Sequence, residues 1–266
     1  MKKQLLTVAI ATIASSYASA YQFEVSAGLG QGEVEAGNVS NDYDAALIYG
    51  ELHFEQVDTS KGPLAEAAFL DKSSFIDFSL VNIDPDNGDD TDNYGFGGRF
   101  VTDTNLILEA SYDQADDGTN DADTFGFGIG TYINDTTDVV VSYSTTDDDA
   151  SGDLDVLDVQ LHSIQAMAQG ASVAFDLGAS VIDAEDDDGF GVNAGATYYF
   201  NNMFGIGLSA EFVDVDSYER DTISLDLSYF VAPNVEVAFS YFDTTEDYNG
   251  PELDTDGFLI GVAGRF

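Results

Sequence analysis

The segment FGIGLSAEF, residues 204–212, alternates apolar side chains with small or polar ones at every position. Residues 223–229 repeat the pattern, with Ile223, Leu225, Leu227 and Tyr229 separated by serine and aspartate. Successive side chains of a β-strand point to opposite faces of the sheet. Each segment therefore predicts a strand with one apolar face and one polar face.

Fourteen such runs follow one another along the chain, and the pattern is weakest in the second and the eighth. They begin near Gln22, Ala45, Phe75, Tyr94, Leu106, Thr124, Val139, Asp155, Ser172, Phe190, Phe204, Thr222, Val235 and Phe258. Acidic connections such as 84–93, 147–155 and 183–189 alternate with short turns such as 202–203. Long and short connections at opposite ends are typical of an all-β, transmembrane, antiparallel up-and-down β-barrel, here of about 14 strands, with 12 or 16 as the alternatives.

The charge of the chain excludes several classes of protein. Fifty acidic residues stand against seven basic ones, so a partner bound through its phosphates, such as nucleic acid, is excluded. With 44% apolar and 12% aromatic residues, the chain is not expected to be disordered. The absence of cysteine excludes disulfides and thiolate metal sites.

The chain begins with features of an export signal. Lys2 and Lys3 precede an apolar stretch, and Ala18-Ser19-Ala20 has the small side chains of a cleavage site. Residues 1–20 are therefore predicted to be a signal peptide, and residues 21–266 a single barrel domain. No later segment has the roughly 18 consecutive apolar residues of a membrane helix.

Aromatic residues indicate which face of the strands meets lipid. A soluble β-sandwich would also alternate, but its edge strands would need protection, whereas a closed barrel has no unpaired edge. Eight aromatic residues lie near the ends of the predicted strands, where the girdles of membrane barrels occur: Tyr94, Phe100, Tyr112, Tyr143, Tyr198, Phe200, Tyr229 and Tyr241. The apolar face is thus predicted to face lipid.

The polar face would then line a water-filled lumen. In this register it carries Glu24, Glu51, Glu55, Asp77, Arg99, Glu109, Asp158, Asp176, Glu211, Asp226, Glu236 and Arg265. Ten acidic side chains against two arginines predict a cation-selective pore, because rings of carboxylates favour cations. Replacing Asp176, Asp226 and Glu236 by Asn or Gln is expected to reduce that selectivity.

One segment carries a family resemblance. DTSKGPLAEAAFLDKSS, residues 58–74, resembles the characteristic segment of the putative general bacterial porins, which are Gram-negative outer-membrane proteins. The residues themselves predict a short helical turn from Pro63 that forms a structural plug or cap at the periplasmic mouth, which we favour over a binding site. The last residues, FLIGVAGRF, carry Phe258, Ile260, Val262 and Phe266 on the lipid side. Their pattern resembles the signal by which the barrel assembly machinery recognises its clients.

The resemblance implies the cell outer membrane as location, with outer-membrane lipid and lipopolysaccharide as surroundings and small hydrophilic solutes and ions as cargo. No cofactor is expected, because no helix follows the glycine-rich residues 28–32 and 126–130. His53 and His162 are the only candidate bases of an enzyme, and no acyl-transfer triad can be placed around either, so an enzyme is not expected.

The acidic connections match no complete calcium-loop pattern, so no metal site is predicted, and weak divalent binding at the rim is kept as a hypothesis. The alternative to a porin is a structural barrel whose acidic loops bind divalent cations, lipopolysaccharide or a partner without significant transport. The sequence leaves the oligomeric state open.

Overall fold

The computed structural model describes residues 20–149, 152–184, 187–216, 218–248 and 252–266, so the predicted signal peptide lies outside the described residues except for Ala20. Fourteen strands pair antiparallel with their neighbours, and β1 pairs with β14 to close the barrel. The predicted fold class and strand number are confirmed, including β2 and β8, where the sequence pattern is weakest. The strands are β1 Ala20–Ala36, β2 Val39–Asp58, β3 Phe75–Pro85, β4 Thr91–Val101, β5 Leu106–Asp116, β6 Asp121–Asn134, β7 Thr137–Asp148, β8 Gly152–Ala166, β9 Ser172–Ala184, β10 Asp187–Asn201, β11 Phe204–Val215, β12 Tyr218–Ala232, β13 Val235–Tyr248 and β14 Leu253–Arg265.

The connections differ from the expected division into long and short. The end of the barrel that holds Ala20 and Phe266 is called the terminal end, and the opposite one the far end. At the far end β3 continues to Pro85 and β4 starts at Thr91, so most of the acidic segment 84–93 is strand. The longest connection within the described residues, 59–74, lies instead at the terminal end. Acidic side chains tolerate strand structure at the far end, where some accept hydrogen bonds from tyrosines of the same or the adjacent strand, as Asp123 does from Tyr112 at 2.7 Å.

The pairing register sets the tilt of the strands. From Gly28, the paired residues followed through β2 to β7 lead to Gly152 on β8. The same walk through β14 to β9 leads to Ala166 on the same strand. The two end points are fourteen residues apart, so the shear equals the number of strands. Paired residues consequently differ in height by about one residue per strand, as in barrels whose strands tilt by about 35–45°.

The outer face carries the apolar side chains. Leu208 is 60% exposed and Phe127 is 67% exposed, values that a water-soluble core would not allow. The predicted girdle residues fall into one group towards the terminal end and another towards the far end, and Phe100 and Tyr94 represent them on β4. These two are six residues apart, about 20 Å along the strand and about 15 Å in height at this tilt, so both fit within an apolar layer about 25 Å thick.

Within the described part of the chain, helical structure is confined to short turns. A 3-10 turn at Leu64–Glu66 continues into the one-turn helix α1 at Ala67–Leu70, and a second 3-10 turn spans Ala168–Gly170. Pro63 precedes the first turn, and Lys72, with a positive φ of 54°, ends the helical path. Among the described residues, none of the helices has the length or the apolar character needed to cross a membrane.

Candidate functional site: the lumen and its plug

Residues 59–74, called the plug segment, fold into the barrel from the terminal end. Ala67 packs against Tyr21 and Val57, on β1 and β2. Leu70 packs in a cluster with Ile164, Ala174 and Tyr199, on β8, β9 and β10. Phe69 also contacts the cluster of Ile107, Tyr132 and Val140, on β5, β6 and β7. A segment that touches strands on most of the circumference can only lie inside the barrel, so of the two predicted forms, plug or cap, the structure has a plug within the lumen.

Backbone groups of the plug segment bond to the wall on several sides. The Leu64 N–H donates to the Asn202 carbonyl at 2.8 Å, and the Arg265 guanidinium donates to the Leu64 carbonyl at 2.6 Å. The Tyr132 hydroxyl donates to the Phe69 carbonyl at 2.9 Å. These bonds satisfy polar groups of a short helix that would otherwise be stranded among apolar side chains.

Glu66 makes the strongest side-chain contact between plug and wall. Its carboxylate accepts the Tyr199 hydroxyl at 2.7 Å and lies 3.0 Å from His162 Nε2. The other ring nitrogen of His162 lies 2.6 Å from an Asp176 oxygen, and the ring edge meets Phe69 at a centroid distance of 4.2 Å. We call Glu66, His162, Asp176 and Tyr199 the latch. It ties the plug to β8, β9 and β10 by hydrogen bonds that involve charged groups.

Two lysines of the plug segment are also paired. Lys61 pairs with Asp71 within the segment, and Lys72 reaches Asp135 at 2.9 Å and Asn105 at 3.1 Å, in two neighbouring turns. The hydrogen bond from Lys72 and its charge lower the pKa of Asp135, which lies in the turn between β6 and β7. This tether fixes the side of the plug away from the latch.

His53, one of the two candidate bases of an enzyme, lies between a serine and a glutamate. Its Nδ1 lies 2.8 Å from the Ser73 hydroxyl and its Nε2 lies 2.9 Å from Glu51, an arrangement that the sequence alone did not place. However, the ring is 1% exposed and is walled in by the edges of Tyr21 and Phe75. The contact between His53 and Ser73 joins the plug segment to β2.

The residues that touch the plug identify the inner face of every strand. By the alternation of side chains, eleven of the twelve predicted lumen residues share that face. They are Glu24, Glu51, Asp77, Arg99, Glu109, Asp158, Asp176, Glu211, Asp226, Glu236 and Arg265. Glu55 differs, because the pairing of β1 with β2 shifts between Tyr21 and Phe23, and the bulge that results carries Glu55 to an exposed position beside Phe54 and Phe100.

Five of the inner carboxylates lie at nearly the same height. When the height of each residue is corrected by one residue per strand for the tilt, five carboxylates on five different strands fall within two residues of one another. They are Glu51, Asp77, Glu109, Asp176 and Asp226. Two residues of a tilted strand correspond to about 5 Å of height. We call these five residues the acidic band. It encircles the lumen just above the plug, on the side of the far end.

The basic side chains do not neutralise this band fully. Arg99 contacts Glu109 at 3.2 Å and also pairs with Asp138, and Arg265 pairs with Glu24 below the band. Arg220 pairs with Glu211 at 2.5 Å near the far end. Two members of the band, Asp77 and Asp226, form no ion pair with any of the described residues.

Sequence reasoning missed two carboxylates of this region. Asp138, 3% exposed, lies on the inner face near the start of β7 and pairs with Arg99, whereas the sequence pattern predicts a strand that begins near Val139. Its period of two with Val140 and Ser142 was the signal available. Glu66 lies in the plug segment, where no strand periodicity applies. Among the described residues, no three His, Asp or Glu side chains converge in the manner of a metal site.

Comparisons with known proteins agree with this architecture. The profile of the family described as "Putative general bacterial porin" matches residues 1–178. The Acinetobacter baumannii outer membrane protein Omp33 has 23% identity and a TM-score of 0.65, covering 93% of this chain and 99% of that one. A structure titled bacterial polysaccharide outer membrane secretin has 8% identity and a TM-score of 0.54, with coverages of 91% and 98%. A mutant of the TodX monoaromatic hydrocarbon channel has 9% identity and a TM-score of 0.53, with coverages of 94% and 91%. These similarities show the fold, and no curated protein sequence matches the chain.

Proposed function

The chain belongs to the putative general bacterial porin family, whose profile spans well over half of its length, and is a barrel of the outer membrane. On that premise we propose that it passes small hydrophilic solutes and ions passively, cations preferentially. Fourteen strands form a barrel wider than the eight-stranded kind that its own side chains fill. Inward glycines, such as Gly195 and Gly207 beside the band, leave further space.

The acidic band is the observation that carries the preference for cations. Its carboxylates surround the path just above the plug, where the lumen narrows, and two of them have no basic partner among the described residues. A ring of carboxylates in a narrow, partly desolvated passage lowers the energy of a cation and raises that of an anion. The acidic strand ends at the far rim add to the effect by concentrating cations at that mouth.

The plug sets the size of the path. Because it packs against β1, β2 and β5 to β10, the remaining space runs between the plug and the wall. We therefore expect a small conductance for a barrel of this width, and exclusion of large solutes.

The test is single-channel recording in a planar bilayer under a tenfold potassium chloride gradient. An ideally cation-selective channel would reverse at about 60 mV in this gradient. The double variant Asp77→Asn/Asp226→Asn removes the two unpaired charges of the band and leaves the latch intact. If the five carboxylates contribute equally, the reversal potential falls by about two-fifths, and by more if the unpaired ones dominate.

The matched control is Asp89→Asn/Asp90→Asn, which removes the same charge from the exposed connection between β3 and β4. A shift in the control as large as in the band variant would show that the rim, and not the band, sets selectivity. A folded, inserted barrel that conducts nothing would favour the structural alternative, with the acidic far end as the functional surface.

Export and assembly form part of this proposal. Residues 1–20 would be removed on export, and Phe258, Ile260, Val262 and Phe266 would be read by the barrel assembly machinery. Support comes from the position of Phe266, whose carbonyl accepts the N–H groups of Gln22 at 2.7 Å and Phe23 at 3.1 Å. The last residue thus completes the seam between β1 and β14, where a new barrel must close.

A further inference from the structure

The inner wall above the acidic band carries two aromatic rings that lie flat on glycine backbone. A Cβ atom built on Gly257 would come within 2.8 Å of both the Phe242 ring and the Tyr43 hydroxyl, and one on Gly32 would overlap the Tyr43 ring. The two rings therefore meet over Gly257. Both side chains lie on the inner face by the alternation of the strands, and both are partly exposed. We call Tyr43 and Phe242 the platform.

Apolar side chains continue the platform towards the acidic band. Leu259 follows Gly257 on the inner face of β14, and Leu47 follows Tyr43 and Ala45 on that of β2. Leu259 reaches across to β1, where its Cδ1 lies 3.4 Å from the position of a Cβ on Gly28. This part of the inner face, across β13, β14, β1 and β2, carries no charge.

A carboxylate of the acidic band borders the patch. Asp226 pairs in register with Ser240, whose hydroxyl donates to it at 2.7 Å, and Ser240 pairs in turn with Leu259. Phe242 is then the diagonal neighbour of Asp226, and such pairs are about 7–8 Å apart. A cavity of about 310 Å³ is lined by Asp226, Ser240, Leu259 and Thr197. Charge, hydroxyl and the apolar side chain of Leu259 therefore meet in one recess of the wall, and Phe242 lies next to this recess as the diagonal neighbour of Asp226.

We propose that this wall is a binding subsite for small organic ammonium ions that carry an aryl or alkyl group. Asp226 binds the ammonium group, and the π-faces of the platform rings also attract its positive charge. The apolar group of the ligand lies on Phe242 and Leu259. The subsite extends the proposed preference for cations to organic ones, and its role in transport depends on the proposed function. Inorganic cations use the carboxylate alone, so the apolar wall gives amphipathic cations a longer residence in the pore.

The experiment measures the block of potassium current by benzylammonium, methylammonium and benzoate on the refolded full-length barrel. Benzylammonium should block at a concentration several-fold lower than methylammonium, and benzoate should not block. Phe242→Leu should weaken the block by benzylammonium about fivefold, with methylammonium unaffected. Asp226→Asn should weaken the block by both ammonium ions.

The matched control is Phe239→Leu on the same strand, because Phe239 borders the same cavity but its ring lies on the outer face, stacked on Phe258. Leu259→Ser, which leaves both rings in place, is the second variant if Phe242→Leu fails to fold, and it should weaken benzylammonium selectively. Equal block by the two ammonium ions, or equal effects of Phe239→Leu and Phe242→Leu, would refute the proposed subsite. The two rings would then only pack over the glycine residues.

A barrel that does not conduct would refute the proposed function without deciding the subsite. In that case calorimetric titration of the detergent-solubilised protein with benzylammonium, against methylammonium, tests the subsite directly. Binding that Phe242→Leu weakens and Phe239→Leu does not would support it, and absence of heat with benzylammonium would overturn it.

Discussion

Glu66→Ala should release the plug. The mutation removes the carboxylate that accepts the Tyr199 hydroxyl at 2.7 Å and faces His162 Nε2 at 3.0 Å. Tyr199 is 6% exposed, so its hydroxyl would be left without this acceptor in a site largely closed to water. Asp176 still contacts His162, but the hydrogen bonds that join His162 and Tyr199 to the plug would be lost, and only the packing of Phe69 and Leu70 would remain there. The latch is lost on the side of β8, β9 and β10, while the tether at Lys72 remains.

The expected magnitude follows from the two bonds. A hydrogen bond that involves a charged group contributes about 1.5–3 kcal/mol, and neighbouring bonds are not additive, so we take about 3 kcal/mol for the pair. That corresponds to on the order of a 100-fold change in the docking equilibrium. If the undocked plug is populated at about 0.1% in the parent, it should be populated at about a tenth in Glu66→Ala.

Single-channel recording detects this change as time spent in a state of higher conductance. Glu66→Gln is the conservative variant, because its amide oxygen still accepts the Tyr199 hydroxyl, and it should fall between the parent and Glu66→Ala. Glu55→Ala removes a carboxylate from the exposed bulge at the same end of the barrel and should behave like the parent. Circular dichroism should show unchanged strand content in all three variants.

An unchanged conductance and open fraction in Glu66→Ala, with a folded barrel, would refute the reasoning. Either the latch does not hold the plug, or the plug is not the narrow point of the path. Combining Glu66→Ala with Lys72→Met separates these explanations, because it removes the tether on the other side as well. No effect in the double variant would show that the plug does not limit conduction.

Three further predictions concern the lipid face, the C-terminus and the turns. Leu208→Lys, on the outer face, should lower the free energy of unfolding in lipid by about 2–4 kcal/mol, whereas Ser209→Lys, its inward neighbour, should change it by less than about 0.5 kcal/mol. Equal effects of the two variants in denaturant titrations would show that the assignment of the lipid-facing side is wrong. Phe266→Ala should reduce insertion in cells while refolding from denaturant in detergent proceeds, and unchanged insertion would remove the residue from the assembly signal. Because the pKa of Asp135 is lowered, its pairing with Lys72 should persist at pH values below the ordinary pKa of aspartate and disappear as the pH falls through the lowered pKa. In Lys72→Met the pKa of Asp135, followed by NMR, should rise.

The barrel could be predicted from the sequence because its determinants are local. The period of two in residues 204–212 fixes both the strand and its lipid face, and paired strands follow one another along the chain, so no long-range pairing had to be guessed except β1 with β14. The far-end strand extensions were missed for a physical reason. Acidic sequences resemble loops by composition, although hydrogen bonding to a neighbouring strand does not depend on side-chain charge.

The plug could be predicted only in outline. Its helical turn is visible in the sequence after Pro63, but its partners are distant in the chain, as with Glu66 and Tyr199, 133 residues apart. The bulge that displaces Glu55 also lies beyond sequence reasoning. It interrupts the pairing of β2 with β1 after Leu52, before the pairing resumes at Val57, and the alternation that precedes it gives no sign of the shift.

The latch and the acidic band share a residue, and this couples the size of the path to its charge. Asp176 belongs to the band, yet His162 lies between it and Glu66. When the plug undocks, His162 loses Glu66 and keeps Asp176 as its only acidic partner among those contacts, so the field of the band at β9 changes with the position of the plug. Variants of Glu66 should therefore alter conductance and selectivity together. Asp226→Asn, which touches no group of the plug, should alter selectivity alone, and a conductance change of the same size in that variant would show that the two properties are not separable in this way.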